Sequence, residues 1–399
     1  MNKTLWIISE LFSPNESATA YILTEMAKKF TEAYDVNVIC ANTNYEGDNK
    51  RVTQEVADIP GINVLRVGVP ELDKNSILKR LIRFLSVSYK LYKKAKEVVQ
   101  PGDTIFAVTN PAFLLPYMKT LKNNKKLEYI LLVHDVFPEN ALATGVIKIK
   151  PLYTVLKKVF DKSYAAADKI LVLGEDMKEI VASKTGRADN VFVCENWGSD
   201  AIMPQDRPVD GKIVLQYAGN IGRVQGLEDW VEFAANTKNS SLVFDYWGSG
   251  ALVPFLNNFV TDKKLVNVRI RGSYNRATQN EVLNDCDIAV ISLAKGMKGL
   301  GVPSKTYNIL AAGKPILYIG DEGSEIYDLV QKYDLGYVFT WEQKEGISAF
   351  LESLNENSLA ELKTKGVHSR ECYEKHFTQE IISDKTLKII NQNAETDVL

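Results

Sequence analysis

Several features that point to common function classes are scarce in this 399-residue sequence. Its four cysteines, Cys40, Cys194, Cys286 and Cys372, lie far apart without a C-x-x-C pair, and only three histidines accompany them. This spacing matches no zinc site and no disulfide framework, and it favours a reducing compartment. Forty-eight basic and fifty acidic residues leave a net charge of -2, which gives no reason to expect a nucleic-acid partner.

Long hydrophobic runs are also missing. The opening MNKTLWIISELFSP contains a four-residue apolar run, Leu5 to Ile8, which is too short for the core of a signal peptide. No later stretch approaches the roughly 20 apolar residues of a membrane span. We therefore expect a cytoplasmic protein that at most rests on the inner face of the cell membrane.

The sequence does contain a regular alternation of short β-rich runs and helical patterns, which is typical of parallel sheets. The pattern stops at NWGSDAIMPQDRPVDGK (196–212), where Gly, Pro and Asp cluster as in a linker, and then restarts. We predict two Rossmann-like, doubly wound domains, 1–198 and 199–376, with about 377–396 packing back on the first. Ligands bind at the carboxyl ends of such sheets, so we expect a site in a central cleft.

The predicted elements can be stated by their residue numbers. Strands are expected at 5–9, 36–41, 62–67, 104–108, 128–133, 169–173, 190–194, 213–218, 242–247, 267–272, 287–292 and 315–319, and helices at 18–30, 77–99, 112–123 and 152–167.

The strongest local motif is GLGVPSKTYNILAAGKPIL (299–317). A glycine loop runs into a helix, and Pro303 suits the first helical position, where its missing N–H costs nothing. Backbone amides near Ser304, Lys305 and Thr306 would face outward, and the Lys305 charge lies where a helix start already favours anions. The motif predicts a diphosphate site, with an ordinary loop–helix junction as the alternative.

Three further segments place glycine or polar residues after predicted strands. YAGNIGRVQGLEDW (217–230) has glycines that let a ligand approach the backbone, although a tight strand–helix turn is the alternative. LLVHDVFPENALATG (131–145) places His134 and Asp135 at a strand end, and FSPNESATA (12–20) would overhang the same cleft.

Other kinds of chemistry find little support. Asp285-Cys286-Asp287 imitates a D-x-D metal site, but it precedes an apolar strand and we interpret it as a turn. No dinucleotide fingerprint, P-loop, Ser-His-Asp or Cys-His nucleophile set, or visible carboxylate pair is present.

The segment 72–99 is basic and amphipathic, with apolar residues at 78, 81, 82, 85, 89, 92 and 99. Two interpretations remain open, a helix 77–99 that rests on anionic lipid and a packed helix with a solvated face. In the first, this helix faces the membrane and the phosphates of an acceptor. The basic residues concerned are Lys79, Arg80, Arg83, Lys90, Lys93, Lys94 and Lys96, together with Lys119, Lys122, Lys125 and Lys126.

Five stretches in this order resemble glycosyltransferase family 4, particularly its bacterial branch for capsule, O-antigen and exopolysaccharide. They are FSPNESATA, VHDVFPENALATG, AADKILVLGEDM (166–177), YAGNIGRVQGLED and GVPSKTYNILAAGKPIL. The resemblance implies a GT-B fold and a retaining, metal-independent hexosyl transfer without a cofactor. The implied donor is a nucleotide-diphosphate sugar, with UDP as the expected nucleotide, and the implied acceptor is a polyprenyl-diphosphate-linked saccharide.

The resemblance also assigns residues to roles. It places His134 near the donor sugar, Arg223 in the loop that approaches the diphosphate, and Lys305 at the phosphate-binding helix start. The expected catalytic residues are His134, Asp135, Arg223 and Lys305. The expected donor-binding residues are Gly219, Asn220, Gly222, Gly248, Gly301, Val302, Pro303, Ser304, Thr306 and Asn308. The expected acceptor-binding residues are Asn15, Glu16 and Ser17.

Two departures from the family pattern bear on activity. The glutamates of an E-x7-E motif are replaced by Leu300 and Asn308, of which Asn308 can still hydrogen-bond a hydroxyl. Asn220 and Gln225 stand where an Arg and a Lys are typical, so Arg223 and Lys305 would have to compensate. These departures favour one alternative, a catalytically silent GT-B subunit that supports a partner enzyme. A nucleotide-sugar epimerase of GT-B fold, which acts on the donor alone, is another.

Overall fold

The computed structural model describes residues 3–15, 17–42, 59–69 and 77–392, except for the side chains of 77–80. The chain divides into two compact units. Unit 1 comprises the described part of Met1–Glu195 and Ser383–Leu399, and unit 2 is Asn196–Ile382. Each unit contains one sheet with parallel strand pairing, so the predicted α/β class with two Rossmann-like domains is confirmed.

The sheet of unit 1 consists of β1 (Lys3–Ile8), β2 (Tyr34–Ala41), β3 (Ile62–Val67), β4 (Thr104–Val108), β5 (Glu128–Val133), β6 (Lys169–Val172) and β7 (Val191–Val193). The strands lie in the order β3-β2-β1-β4-β5-β6-β7. The order reverses where β1 pairs with β4, and ligands of such sheets bind at this switch point, beyond the carboxyl ends of the strands. The helices are α1 (Ala18–Phe30), α2 (Ile77–Val98), α3 (Leu114–Lys125), α4 (Glu139–Ala143), α5 (Lys150–Tyr164) and α6 (Glu175–Thr185).

The sheet of unit 2 consists of β8 (Ile213–Ala218), β9 (Leu242–Trp247), β10 (Val268–Gly272), β11 (Ile288–Ser292), β12 (Ile316–Ile319) and β13 (Gly336–Phe339). Their order is β10-β9-β8-β11-β12-β13, with the switch point between β8 and β11. Its core includes Trp230, Phe244 and Tyr246, each at most 1% exposed. The helices are α7 (Leu227–Asn236), α8 (Val253–Lys263), α9 (Gln279–Asn284), α10 (Lys305–Ala311), α11 (Glu325–Lys332), α12 (Lys344–Ser353) and α13 (Ser358–His376).

The last described helix, α14 (Gln379–Asn391), continues from unit 2 into the part assigned to unit 1. There, Lys169 Nζ donates to Ile390 O at 2.6 Å, and Thr386 Oγ1 meets Cys194 Sγ at 2.7 Å. Because Lys169 and Cys194 are both buried, these contacts give the end of α14 a defined position on the sheet of unit 1. None of the helices described here is long and apolar enough to span a bilayer.

The orientation of α2 shows which part of its apolar stripe is exposed. Leu81, Ile82, Leu85 and Tyr89 are exposed to 41–52%, whereas the face that packs inward carries Val87, Leu91 and Ala95. The stripe is therefore exposed over 81–89, whereas Val99 at its end is buried, and lipid contact stays a prediction. Periodicity shows that a helix has two faces, but the buried face of α2 is set by contacts distant in sequence.

Several basic residues assigned to a lipid-facing role are engaged within unit 1 instead. Arg83 forms an ion pair with Glu10, which is 4% exposed. Lys122 Nζ lies 2.5 Å from Asp168, and Lys125 donates to the Lys96 carbonyl at 2.7 Å. Burial of Glu10 explains the Arg83 pair, because a buried carboxylate requires a cation. The side chains of Lys79 and Arg80 lie outside the described residues.

The loops that follow β8 and β9 pack backbone to backbone. Gly219 N donates to Trp247 O at 2.9 Å, and Ile221 N donates to Ser249 O at 2.8 Å. Gly248 has φ +136°, and a Cβ added there would lie 1.8 Å from the Gly219 carbonyl oxygen. Only glycine is compatible with this contact.

Gly248→Ala should therefore destabilise unit 2 by roughly 2–5 kcal/mol, because backbone strain adds to a clash with main chain that has no rotamer to escape into. Gly272→Ala is the matched control, since Gly272 also has a positive φ of +83° but nothing lies within 4 Å of its added Cβ. Gly272→Ala should lower the free energy of unfolding by only about 1–2 kcal/mol, which is the cost of a positive φ for a residue with a Cβ. Urea unfolding measures both, and equal losses would contradict the packing of the two loops.

Candidate functional site

The loop after β8 is anchored to the end of β11. It contains a short 3-10 turn, Arg223–Gln225, before α7 begins. Val224 O accepts a hydrogen bond from Ala294 N at 2.8 Å, and Trp341 Nε1 donates to Leu293 O at 2.7 Å. The turn is therefore fixed across the switch point of the sheet, where a ligand of an open parallel sheet binds.

Arg223 is the exposed cation of this turn, and no described residue pairs with its guanidinium. The neighbouring polar side chains fold onto the loop itself. A Cβ on Gly222 would lie 2.8 Å from Asn220 Nδ2 and 3.0 Å from Gln225 Oε1. Asn220 and Gln225 therefore cover the loop backbone, which leaves Arg223 as the charge that this loop directs outward.

Lys305 is the first residue of α10, and its side chain reaches back to the end of β8. Its Nζ lies 3.2 Å from the centroid of the Tyr217 ring and 3.6 Å from the position of a Cβ on Gly219. The residue as a whole is partly exposed, but its ammonium is enclosed and has no hydrogen-bond partner among the described residues. Burial holds the pKa of Lys305 well below its ordinary value of 10.5.

This environment is suited to an anionic ligand. An enclosed ammonium without an anion is costly, and the face of an aromatic ring compensates for lost water only in part. Tyr217 is itself held by a hydrogen bond from its hydroxyl to Asn220 O at 2.7 Å, so the ring that supports Lys305 also fixes the loop before Arg223. The hydrogen bond between Tyr217 and Asn220 thus links the ring that contacts Lys305 to the loop that carries Arg223.

The start of α10 differs from the prediction. The sequence places Pro303 at the first helical position, but the helix begins at Lys305 with Ser304 as its N-cap. Pro303 closes a turn before the helix, because its carbonyl accepts Thr306 N at 3.1 Å. The Thr306 amide is therefore engaged within the chain, and the expectation that it faces a ligand is wrong.

Asn308, another predicted donor residue of unit 2, has a partner within the unit. Asn308 Oδ1 accepts from Ser199 N at 2.9 Å, which leaves its amide nitrogen as the group for a ligand. Leu300 and Val302 are buried, and Gly301 between them is half-buried. Leu300 thus fills an apolar space where the resembled family carries a carboxylate.

The Asp285-Cys286-Asp287 segment forms a turn, as predicted. Asp285 is the C-cap of α9, and Cys286 is buried. Asp287 Oδ2 accepts from Val214 N at 2.8 Å and pairs with Arg207 at 3.0 Å. Within the described residues, no group of three or more His, Cys, Asp or Glu side chains is arranged to hold a metal ion.

In unit 1, polar residues follow β4 and β5 at the carboxyl ends of neighbouring strands. Thr109, which is fully buried after β4, accepts from His134 N at 3.0 Å and from Asp135 N at 3.2 Å through its Oγ1. Asn140 Nδ2 donates to Asp135 Oδ1 at 2.9 Å. Tyr164 accepts from Phe137 N at 3.2 Å. These bonds hold the loop after β5 in one conformation.

Burial shifts the pKa values of both candidate residues in this loop. It lowers the pKa of His134 to about 4, so the imidazole is neutral near pH 7. It raises the pKa of Asp135 to about 6, against a smaller lowering by the Asn140 hydrogen bond. His134 Nε2 is enclosed without a partner in the described part of the chain. A neutral imidazole at this position can hydrogen-bond a hydroxyl but does not serve as a positive charge.

The candidate acceptor residues lie in the loop after β1. Asn15 is buried, and its Oδ1 accepts from Ser17 N at 2.9 Å. Ser17 caps α1 by accepting from Ala20 N at 3.3 Å. Glu16 lies outside the described residues. Asn15 and Ser17 thus shape the start of α1, and their part in acceptor binding remains a prediction.

Two features of the sites were missed from the sequence. Glu10 lies two residues after the end of β1, much as His134 follows β5, so the same strand-end rule would have identified it. Its partner Arg83 lies 73 residues away, and no local pattern reveals this pairing. Tyr217 was recognised as part of a motif, but its contact with Lys305 depends on how α10 packs against β8.

Comparisons with known proteins agree with the resemblance to glycosyltransferases. No family model matches the chain. WbjE of Pseudomonas aeruginosa, named as a probable glycosyltransferase, is 28% identical over 396 residues, 96% of each chain. WcaI of Escherichia coli K12, named as a colanic acid biosynthesis glycosyl transferase, is 24% identical over 81% of this chain and 84% of its own.

Solved structures agree on the fold. HepE of Anabaena, in complex with UDP and glucose, superposes with a TM-score of 0.72 at 14% identity, over 98% of this chain and 100% of its own. The chain has the GT-B fold, and it resembles glycosyltransferases of polysaccharide biosynthesis over nearly its whole length.

Asp135→Asn should stabilise the protein at neutral pH. Because the folded state raises the pKa of Asp135 from 3.8 to about 6, stability from this group is full below pH 4 and is lost as pH rises through 6. An asparagine cannot ionise, so its advantage in unfolding free energy should grow by about 1–3 kcal/mol between pH 4 and pH 7. Urea unfolding at both pH values, with exposed Asp262→Asn as the matched control, measures it. An advantage independent of pH would contradict the burial of this carboxyl.

Proposed function

We propose that the chain is a retaining glycosyltransferase that moves a hexose from a UDP-sugar to a lipid-linked saccharide in the synthesis of a cell-surface polysaccharide. The observation that carries the proposal is the enclosed Lys305 ammonium, which has no anion among the described residues and lies against the glycine loop after β8. The similarity to WbjE and WcaI supports sugar transfer, and the complexes of HepE support UDP as the nucleotide.

In the proposed donor complex, Lys305 and Arg223 bind the diphosphate. A phosphate oxygen beside Lys305 would pair with the enclosed ammonium. A charge-assisted hydrogen bond is stronger in such an enclosed position than in water. Arg223 is exposed on a turn that is fixed to β11, so it can meet the other phosphate without rearrangement of the loop. Two positive charges then stabilise the diphosphate as negative charge develops on it.

The proposed reaction breaks the bond between the anomeric carbon and the diphosphate oxygen. The acceptor hydroxyl attacks from the side that the diphosphate leaves, and its proton passes to the departing phosphate oxygen. Retention follows from this front-face path, and no protein nucleophile is needed. Because Lys305 and Arg223 neutralise the leaving group, we propose that the transfer needs neither a metal nor another cofactor.

His134 has a different proposed role. Burial keeps its imidazole neutral near pH 7, so it acts as a hydrogen-bonding group for a sugar hydroxyl through Nε2 and not as a general acid. Asp135 belongs to the same loop, where its carboxylate accepts from Asn140. We propose that Asp135 holds the loop in shape and that His134 contacts the substrate.

The proposed acceptor is a polyprenyl-diphosphate-linked saccharide at the inner membrane surface. The exposed apolar stripe of α2 supports a peripheral location, since Leu81, Ile82, Leu85 and Tyr89 could enter the headgroup region. Lys93 and Lys96 are exposed on the same helix and would face lipid phosphates.

UDP binding should be accompanied by proton uptake at Lys305. Burial depresses the pKa of Lys305 in the free protein, and bound phosphates would raise it, so affinity should fall as the pH rises between these two pKa values. Isothermal titration calorimetry in buffers of different ionisation enthalpy measures the uptake. Lys305→Met should abolish it and weaken binding about ten-fold or more.

The matched control is Lys295→Met, which removes an exposed lysine that pairs with Glu342 outside this contact. Proton uptake that persists in Lys305→Met would exclude Lys305 from the phosphate site.

Transfer itself should depend on both cations. With a UDP-sugar and a membrane-extracted acceptor, Lys305→Ala should lower kcat/KM by about 10²–10³, because a contact strengthened in the transition state is lost. Arg223→Ala should cost about ten-fold, since its guanidinium stays partly hydrated. Chelator should leave the rate unchanged, and NMR of the product should show the anomeric configuration of the donor.

The alternatives give different outcomes in this assay. A nucleotide-sugar epimerase would convert the donor without an acceptor. A silent subunit, which the missing carboxylates at 300 and 308 favour, would bind UDP but transfer nothing. Wild-type transfer that survives Lys305→Ala undiminished would contradict the proposed mechanism.

A further inference from the structure

Most of the large apolar side chains exposed in the described structure lie in two segments of unit 1. Of sixteen such residues, four lie on α2 and six lie between α4 and the middle of α5. We call the second group the 142–159 surface. Its members are Leu142, Val146, Ile149, Leu152, Val155 and Val159, exposed to between 40% and 71%.

The α5 part of the 142–159 surface is contiguous. Leu152, Val155 and Val159 follow the helical spacing of three and four, so they form one stripe along α5. The opposite side of α5 is buried through Phe160 and Tyr164. Single exposed apolar residues are common on proteins, but a continuous patch marks a surface that another apolar phase covers.

Within 139–164, the exposed charge is of one sign. The only acidic residues of 139–164, Glu139 and Asp161, both form ion pairs with Lys184, which is 2% exposed. Lys157 also pairs with Asp161 at 2.7 Å. Internal pairs therefore neutralise both carboxylates. The exposed charged residues that remain are Lys148, Lys150, Lys158 and Lys162.

We propose that the 142–159 surface docks on an anionic lipid bilayer. Val146 and Ile149, which are the most exposed members at 71% and 62%, would enter the boundary between headgroups and acyl chains. The flanking lysines have long apolar stems and would place their ammonium groups at the lipid phosphates. A second copy of the chain fits less well, because a symmetric interface would bring the lysines of both copies together.

The surface extends the lipid contact proposed for α2. α3 lies between the two helices, since Tyr117 stacks on Tyr92 of α2 with 4.9 Å between ring centroids, and Phe113 lies 6.0 Å from Phe160 of α5. The two apolar stripes therefore belong to one layer of helices in unit 1. Two separate patches on one layer would orient the unit on a membrane, whereas α2 alone would leave it free to rotate.

Flotation with phosphatidylcholine vesicles, with and without phosphatidylglycerol, tests the proposal on the full chain. No nucleotide or acceptor is added, so the result does not depend on sugar transfer. The wild type should float with the anionic vesicles only. Val146→Ser/Ile149→Ser/Val155→Ser and, separately, Lys148→Gln/Lys150→Gln/Lys158→Gln/Lys162→Gln should each lower the partition coefficient roughly ten-fold or more.

The matched control is Val209→Ser/Val266→Ser, which changes two valines of unit 2 that are 74% and 98% exposed. It should float as the wild type does. Because all substituted side chains are exposed, unfolding temperature and UDP affinity should stay unchanged and confirm that each variant is folded.

Four results would overturn the proposal. The serine variant could float as well as the wild type, or the wild type could bind neutral vesicles equally. Ile82→Ser/Leu85→Ser/Tyr89→Ser could abolish flotation while the 142–159 variants leave it intact, which would assign lipid contact to α2 alone. A wild-type dimer that the serine variant converts to monomer would assign the surface to a second copy. A wild-type protein that floats with anionic vesicles but transfers no sugar would instead contradict only the proposed function.

Discussion

The enclosed ammonium of Lys305 constrains the residues around it in unit 2. Tyr217 lies one residue before the end of β8 with its ring beneath Nζ, and the lysine side chain lies beside Gly219, 3.6 Å from the position of an added Cβ. Gly248 in turn has no room for a Cβ because the Gly219 carbonyl occupies that position. Lys305, Tyr217, Gly219 and Gly248 thus form one chain of contacts, although they belong to separate motifs. An anion that pairs with Lys305 would therefore affect the packing of all these residues together.

The two units apply the same rule with different chemistry. Each places polar groups just beyond the carboxyl ends of neighbouring strands, next to the point where strand order reverses. Unit 2 presents cations there, whereas unit 1 presents the neutral imidazole of His134 on a loop held by Thr109. This division suits a reaction in which one substrate leaves as a diphosphate and the other is recognised through hydroxyl groups. Lipid contact through the helical layer of unit 1 would bring a membrane-bound acceptor to the unit that has the uncharged site.

The elements predicted best from the sequence are those whose pattern is local. β4 and β5 are continuous apolar runs covered on both faces, and their predicted bounds agree with the structure. β13 was missed because its four residues are only half-buried. The start of α10 was misplaced by two residues, since Pro303 suits a turn as well as a helix start. The inward face of α2 and the pairing of Arg83 with Glu10 depend on packing between distant segments, which periodicity does not encode.

A crystal structure of the protein with UDP would show whether Lys305 binds the diphosphate. We predict a phosphate oxygen within hydrogen-bond distance of Lys305 Nζ, with the Arg223 guanidinium turned onto the same diphosphate and the loop after β8 unchanged. A structure in which UDP binds elsewhere, or in which Lys305 remains on the Tyr217 ring without a phosphate contact, would contradict it.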